Sequence, residues 1–510
     1  MSALPQFEIS ALEPTPTAPL ALPARTIAVA SGDGIGPEIL AATLEILRAA
    51  DPSLSFEPVV VGLQAYANGH AAGLGEEVYA AIERHGVLLK GPISTPQGGG
   101  YKSVNVTLRK TLGLYANVRP CVAYAPYVKA LQPGMDVVIV RENEEDTYAG
   151  IEHRQTAEVT QCLKLITRPG CERIVRHAFE YVRASGRRKL TCMTKDNIMK
   201  LTDGLFHRVF DEIAVEYPEI ETEHQIIDIG TARMASRPRD YDVVVTPNLY
   251  GDILSDVAAE VAGSIGLAPS ANLGRQAAMF EAVHGSAPDI AGQDIANPSG
   301  LLLSAVMMLV HLGRRAPAEA IHNAWLRTLE DGVHTADLWQ DGLSRERAGT
   351  RAFTQAVIAR LGQQPQQLGR VRYPEPAANE GQQKNPSAWA PAVKRTPAAP
   401  LKTFDGVDVF LDWNAPGRSS AQLADAIQQA CAGIDSFALK LITNRGVKVW
   451  PQQHAGTFCS DHWRCRFIGD SAQAVPALLQ ALQAAGLDPV KTENLYRFDG
   501  ERGYSVAQGE

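Results

Sequence analysis

The stretch Thr26-Ile-Ala-Val-Ala-Ser-Gly-Asp-Gly-Ile-Gly-Pro-Glu38 decides how the chain is read. Thr26–Ala30 has the composition of a short buried strand, and Glu38–Ala49 carries the apolar spacing of a helix. Between them lies Gly32-Asp33-Gly34-Ile35-Gly36-Pro37. The dinucleotide fingerprint G-x-G-x-x-G would require glycine at position 37, where Pro37 stands. Proline suits the first residue of a helix, because an N–H there has no intrahelical partner to lose. Asp33 would also bring a carboxylate toward a pyrophosphate. The loop therefore reads as a tight strand-to-helix turn, and the standard Rossmann reading fails.

Outward from this turn, short apolar runs alternate with helical patterns from Arg25 to about Leu361, the signature of an α/β fold. Asp136–Val140, Lys189–Met193 and Asp242–Thr246 read as further buried strands, and Cys171–Ala184 and Leu301–Leu312 as helices. Gly362–Pro400 breaks the pattern. It contains Pro365, Pro374, Pro376, Pro386, Pro391, Pro397 and Pro400, so an extended linker or surface strap is expected. Periodicity then returns. Val407–Leu411, Phe437–Thr443, Val447–Trp450 and Trp463–Ile468 look like strands, with helices at Ala421–Ala432 and Val475–Ala485. A small α+β module, of ferredoxin-like type, is the natural reading.

A chain of 510 residues exceeds one compact core and implies two to four domains. With 45% apolar and 20% charged residues, it has the composition of a soluble globular protein. The net charge of -8, without a long Lys/Arg run, argues against nucleic acid as a partner. The longest apolar run, Leu301–Leu312, is too short to span a membrane. Seven scattered cysteines without a CxxC pair suit a reducing, cytoplasmic setting. The first residues lack a basic segment followed by an apolar one, so they read as a disordered tail, not a signal peptide.

Two constellations carry chemistry. Lys90–Pro120 gathers Ser94, Thr95, Ser103, Asn105, Arg109 and Arg119 beside glycine-rich backbone, and Arg141 follows the strand Asp136–Val140. Arginine's planar fork binds carboxylates bidentately, so three arginines at one site suit a polycarboxylate. Each one alone reads as a surface or ion-pair residue. In Gly251-Asp252-Ile253-Leu254-Ser255-Asp256, the aspartates share one helical face. Mg²⁺ or Mn²⁺ would relieve their repulsion, with Asp228 as a third ligand, though Asp252 could equally be a helix-start acid.

Taken together, GDGIGPE (32–38), SVNVTLRK (103–110), YANVRP (115–120), RENEEDTYAGIE (141–152), KDNIMK (195–200), GDILSD (251–256), APSANLG (268–274) and EAVHGSAPDIAGQDIANP (281–298) resemble the metal-dependent β-decarboxylating dehydrogenases, the isocitrate and 3-isopropylmalate dehydrogenases. The resemblance implies a two-domain, non-Rossmann α/β fold and an obligate dimer whose sites draw on both subunits. It divides the chain into a tail at 1–24, a large α/β domain at 25–112 and 263–361, and a small domain with a dimer clasp at 113–262. A Pro-rich linker at 362–400 and an α+β domain at 401–510 follow. The ending resembles the extra domain of the longer homodimeric bacterial enzymes, and an intersubunit clasp is expected of it.

Carried over by motif, Ser103 and Asn105 would hold the distal carboxylate of isocitrate, and Arg109, Arg119 and Arg141 its other carboxylates. Asp252 and Asp256, with Asp228 from across the dimer, would hold the metal against the substrate hydroxyl. Lys195, from the partner, would assist removal of the hydroxyl proton, and Tyr148 would protonate C3 after decarboxylation to 2-oxoglutarate. The nicotinamide nucleotide would lie against Thr95, Asn197, His284, Gly285, Ala287, Asp289, Ile290, Ala296 and Asn297. NADP-using relatives place Lys-Tyr where Asp289-Ile290 stands here. Asp289 would repel a 2′-phosphate but accept a hydrogen bond from a free ribose hydroxyl, which points to NAD.

Other readings are a homoisocitrate or other 3-substituted malate dehydrogenase, or a silent regulatory subunit. Ser103-x-Asn105 argues against the first; intact Tyr148, Lys195, Asp228, Asp252 and Asp256 argue against the second. His454, Cys459, His462 and Cys465 suggest a zinc site, but strand alternation sends His462 and Cys465 to opposite faces.

Overall fold

The computed structural model describes residues 24–95, 103–373, 399–454 and 456–508. The expected N-terminal tail up to residue 23, the glycines at 98–100 and the linker prolines from Pro374 to Pro397 lie outside the described residues.

Strand β1 (Arg25–Ala30) is buried on both faces, as its apolar run requires. Ile27 and Val29 enter one core, while Ala28 and Ala30 enter another on the opposite side. It is followed by β2 (Leu54–Pro58), β3 (Val87–Lys90), β4 (Ala116–Val122), β5 (Asp136–Glu142), the short β6 (Glu152–Arg154) and β7 (Thr160–Cys162), β8 (Lys189–Thr194), β9 (Glu221–Ile226), β10 (Val243–Thr246), β11 (Pro269–Leu273) and β12 (Ala278–Ala282). Ten of these form one sheet in the order β2-β1-β3-β12-β11-β4-β5-β10-β8-β9. The outer parts are parallel: β1 with β2 and β3, β3 with β12, and β5, β10, β8 and β9 with one another. Only β11 and β4 run against their neighbours on both sides. This arrangement departs from the doubly wound dinucleotide fold, in agreement with the misplaced proline at position 37.

Helices cover both faces, as βαβ crossovers demand. The helix Ser299–His311 is apolar nearly all round and lies inside the large-domain core with Trp325 and Phe353. Pro37 does sit in the first turn of the helix Gly36–Ala50. The strands and helices expected from sequence between Thr26 and Leu312 all occur, with boundaries differing by a few residues.

Two short strands, β13 (Val333–His334) and β14 (Glu346–Arg347), pair with each other. The first part of the expected linker is a strap along the helix Arg315–Glu330. Glu330 accepts backbone N–H groups of Gln366, Gln367 and Leu368, Asn323 accepts that of Val371, and the Tyr373 hydroxyl lies 2.8 Å from His322.

The C-terminal sheet comprises β15 (Lys402–Asp412), β16 (Ala438–Asn444), β17 (Val447–Trp450), β18 (His462–Ile468), β19 (Asp488–Phe498) and β20 (Glu501–Arg502). Its order, β17-β16-β18-β15-β19-β20, contains the ferredoxin-like arrangement β16-β18-β15-β19, extended by one strand at each edge. Helices Ser420–Ala430 and Val475–Ala484 supply Leu423, Ile427, Leu478 and Leu482 to the core. Strand β19 gave no sequence signal, because most of DPVKTENLYRF stays partly exposed. Cys465 lies in this core, while His462 stacks on Phe410, so the two do not share a site.

This domain docks onto the β6–β7 hairpin of its own chain. Asp461, 1% exposed, accepts from the Thr156 hydroxyl at 2.6 Å and the Glu158 N–H at 3.2 Å. Arg418 grips the Glu158 carboxylate with two nitrogens, at 2.6 and 3.0 Å. Replacing Asp461 with Ala leaves the buried Thr156 hydroxyl without its acceptor, at a cost of about 2 kcal/mol to the docking. Hydrogen exchange across 154–162 is then expected to accelerate while protection in the ten-stranded sheet is unchanged.

Candidate active site

The three arginines of the sequence reading come from different elements and converge. Arg109 lies on the helix Val104–Thr111, Arg119 on β4 and Arg141 on β5. All three are buried. Isolated guanidinium groups cannot persist inside a protein without partners, and each is held differently.

Arg109 donates to Glu281 at 2.9 Å, and Glu281 also meets Lys90 at 2.5 Å. Lys90 and Glu281 are 0% and 3% exposed, and Asn272 donates to the same Glu281 oxygen. Two cations at contact distance hold the Glu281 carboxyl far below the usual range, against the effect of its burial. Arg119 donates to Asn117 and to the Ser255 hydroxyl, each at 2.6 Å. Arg141 donates through two nitrogens to Asn248 and through a third to Asp252. Burial and the neighbouring guanidiniums lower the Arg141 pKa to about 10. Gly251 makes room for this arginine: a Cβ there would stand 2.6 Å from Arg141 Cγ.

Asp252 and Asp256 occupy successive turns of the helix Asn248–Ala262. Their Oδ1 atoms lie 3.4 and 3.5 Å from the same nitrogen, Arg119 Nη1. Both carboxylates thus face the same guanidinium from one side of the helix. Burial raises Asp252, but Arg141 and Arg119 outweigh it and hold the carboxyl below its usual range. Asp256, where burial prevails over Arg119, is shifted upward. An all-oxygen donor pair in a partly open position fits a hard divalent cation.

The Tyr148 hydroxyl donates to Asp252, and Arg141 lies 4.8 Å from the centre of its ring. Desolvation keeps the phenol protonated above its ordinary range. Asp146, wholly buried, positions this segment by accepting from the N–H groups of Thr147 and Leu249. Ser103 caps the helix Val104–Thr111 through the Val106 N–H. Among the described residues, Asn105 Oδ1 and Arg109 Nε are buried without a hydrogen-bond partner. The Arg109 N–H can donate to an anion at this helix start, whereas the Asn105 oxygen can only accept from a donor.

Lys195 and Asp228 stand apart. They pair with each other at 2.7 Å, and Asp228 is largely exposed. Among the described residues, no hydrogen bond or ion pair links them to Arg119, Arg141 or Asp252.

The glycine turn and the 284–297 loop meet directly. Ile35 N donates to Ser286 O at 2.8 Å, and a Cβ on Gly34, at φ +59, would overlap that oxygen at 1.9 Å. Asp33 faces inward and accepts the backbone N–H groups of Leu63 and Ser94. It is therefore a structural anchor for the Ser94–Thr95 segment. Glu38 accepts from Thr350 and from Gly292 N, bracing the far side of the loop.

Within it, His284 is half-buried with Nε2 unpartnered, and burial lowers its pKa. Thr95, Asn197, Gly285, Ala287 and Asp289 are exposed, and Ile290 is partly buried. Ala296 is buried, and Asn297 is engaged by Asp337 and Ser299 N. The sequence reading missed Glu281, Asn117, Asn248 and Ser255, which bind the arginines, and Lys90, which pairs with Glu281. Asn117, Ser255 and Glu281 lie within motifs that the sequence offered, whereas Lys90 and Asn248 lie outside them.

Residues 26–357 match the family model of isocitrate/isopropylmalate dehydrogenases, and residues 402–510 match that of the bacterial isocitrate dehydrogenase C-terminal domain. An isocitrate dehydrogenase [NADP] of Rickettsia bellii is 51% identical over 95% of this chain and 99% of its own. Subunit 2 of the yeast mitochondrial isocitrate dehydrogenase [NAD] is 46% identical over 66% of this chain and 90% of its own. The crystal structure of a Thermus thermophilus protein superposes with a TM-score of 0.84 and 44% identity, covering 96% of each chain.

Glu281→Gln would leave Lys90 and Arg109 buried without a counter-charge, and a loss of about 3 kcal/mol is expected in denaturant melts near neutral pH. Because the folded pKa of Glu281 is depressed, its contribution is present above the unfolded carboxyl pKa and declines as pH falls below it. Wild type and variant should therefore converge in stability on acidification.

Proposed function

We propose that this chain, which belongs to the isocitrate/isopropylmalate dehydrogenase family, is a cytoplasmic, homodimeric isocitrate dehydrogenase that uses NAD and Mg²⁺ or Mn²⁺. The observation that carries the reading is the convergence of Asp252 and Asp256 beside three buried arginines.

In this reading Arg109, Arg119 and Arg141 grip two carboxylates of isocitrate bidentately. Ser103 and Asn105, at the start of the helix Val104–Thr111, receive the distal carboxylate. When bound, the divalent cation supplies Lewis acidity at the substrate oxygens, and the nicotinamide ring supplies the hydride acceptor. Asp252 and Asp256, with the partner subunit's Asp228, would hold that cation. Lys195 assists removal of the C2 hydroxyl proton, and its neighbour Asp228 keeps it oriented. After CO₂ leaves, Tyr148, protonated at neutral pH, delivers a proton to C3.

The separation of Lys195 and Asp228 from the arginine cluster supports their service to a second subunit. Ile198, Leu201, Ile229 and Ile253 are exposed apolar residues around these segments, as expected of a surface that another copy covers. Tyr148→Phe and Lys195→Met homodimers are both expected to be nearly inactive. Mixing and reassociating them should restore about a quarter of wild-type activity, since half of the dimers are mixed and one of their two sites is intact. Absence of recovery, with exchange of subunits verified, would show that Tyr148 and Lys195 serve the same chain's site.

NAD use is supported by Asp289. It lies exposed in the turn Pro288–Ile290, and among the described residues nothing engages its carboxylate. Relatives that cover 95% of this chain, from Rickettsia bellii and Thermus thermophilus, are named for NADP, and the yeast subunit named for NAD covers 66% of it. Initial rates with isocitrate and Mn²⁺ should favour NAD, and Asp289→Lys with Ile290→Tyr should move the ratio toward NADP by about 100-fold or more. Preference of the unmodified enzyme for NADP would overturn this assignment and leave the chemistry standing.

A further inference from the structure

Beyond the cation of the carboxylate site, the small domain holds a second group of ligand type. Asp196 follows β8, His207 lies in the helix Thr202–Ala214, and His224 lies on β9. One candidate ligand atom from each side chain can be chosen so that all lie within 4.8 Å of one another. Asp196 presents one oxygen to each ring: Oδ2 stands 2.7 Å from His207 Nδ1, and Oδ1 stands 3.9 Å from His224 Nε2. All three side chains are partly buried, which limits competition from water.

We propose that Asp196, His207 and His224 bind a borderline divalent transition-metal ion of the zinc class. Imidazole nitrogens with one carboxylate select such ions over Mg²⁺, which prefers oxygen alone. The two rings stack with centroids 3.5 Å apart and planes inclined by 14°. Two imidazolium cations would repel strongly at that spacing, so at least one ring is neutral and offers a lone pair.

The surroundings match those of a ligated histidine. Where Nδ1 of His207 faces Asp196, its Nε2 stands 3.5 Å from Asp211 Oδ2. A carboxylate on the remote ring nitrogen fixes tautomer and orientation, as around metal-bound histidines generally. Thr194 Oγ1 lies 2.9 Å from His224 Nε2, the nitrogen that also faces Asp196, so ligation through Nε2 would exchange this hydrogen bond for the ion. Zinc–nitrogen and zinc–oxygen bonds of about 2.1 Å place tetrahedral ligand atoms roughly 3.4 Å apart. The Asp196–His separations of 2.7 and 3.9 Å bracket that value. Ligation would require the His224 ring to turn out of the stack, with β8, β9 and the intervening helix then tied at one point. Asp196 directly follows Lys195, so the ion would also fix the backbone that carries this residue.

The test uses full-length protein stripped with chelator and titrated calorimetrically with Zn²⁺ in saturating Mg²⁺. One high-affinity Zn²⁺ per chain is expected in wild type and in Asp252→Asn with Asp256→Asn. In His207→Gln with His224→Gln the affinity should fall by about 100-fold or more, with unchanged melting of the metal-free protein. Should that double variant misfold, His224→Gln alone is expected to show a loss of about 10-fold or more. Co²⁺ in place of Zn²⁺ should give intense visible bands of a low-coordinate nitrogen site, absent from the histidine variants. Equal Zn²⁺ binding in wild type and histidine variants, or loss only on changing Asp252 and Asp256, would overturn the proposal and reduce the group to a hydrogen-bonded His–Asp pair.

Discussion

The buried ion group of Lys90, Glu281 and Arg109 is the constraint on which the rest of the site depends. Lys90 ends β3, Glu281 lies on β12 and Arg109 lies on the helix that Ser103 caps. None of the three charges is tolerable alone in that environment. Their mutual satisfaction fixes the helix against the sheet and leaves Arg109 Nε unpartnered. Rigidity of this kind is what a charged recognition site needs, because a guanidinium that must reorganise loses part of its advantage.

A comparable economy governs the glycine turn and the proposed nucleotide loop. The glycine turn resembles a phosphate cradle in sequence but is occupied by the protein itself. Asp33 ties the turn to the backbone of Leu63 and Ser94, and Gly34 yields to the Ser286 carbonyl. The glycines at 32 and 34, with φ of +68 and +59, are required by this close approach. The turn therefore acts on the proposed nucleotide loop through contact with 284–297, and Asp289 is left exposed at its rim.

The C-terminal domain joins the same logic at a distance. It braces the β6–β7 hairpin through Asp461 and Arg418, and that hairpin follows directly on the segment of Tyr148. Lys195 and Asp228 project from the other end of the ten-stranded sheet, near β8 and β9. The Lys195–Asp228 pair and the arginine cluster, both proposed to serve catalysis, thus do not meet among the described residues of one chain.

Sequence alone determined much of this. Buried strands were legible because parallel strands covered on both sides are apolar throughout, as Thr26–Ala30 and Asp242–Thr246 show. Pro37 excluded the doubly wound reading, since proline admits few backbone positions. The arginines and the Asp252–Asp256 pair were legible because the chemistry demands those residue types at helical or strand spacing. Tertiary structure decided which of them meet. Glu281 is far from Lys90 and Arg109 along the chain, and no local pattern records a pairing made across strands β3 and β12. Likewise β19 was invisible, because a strand that remains partly exposed over most of its length gives no period of two. The approach of Asp196, His207 and His224 likewise arises from three elements folded together, where sequence spacing carries no information about distance.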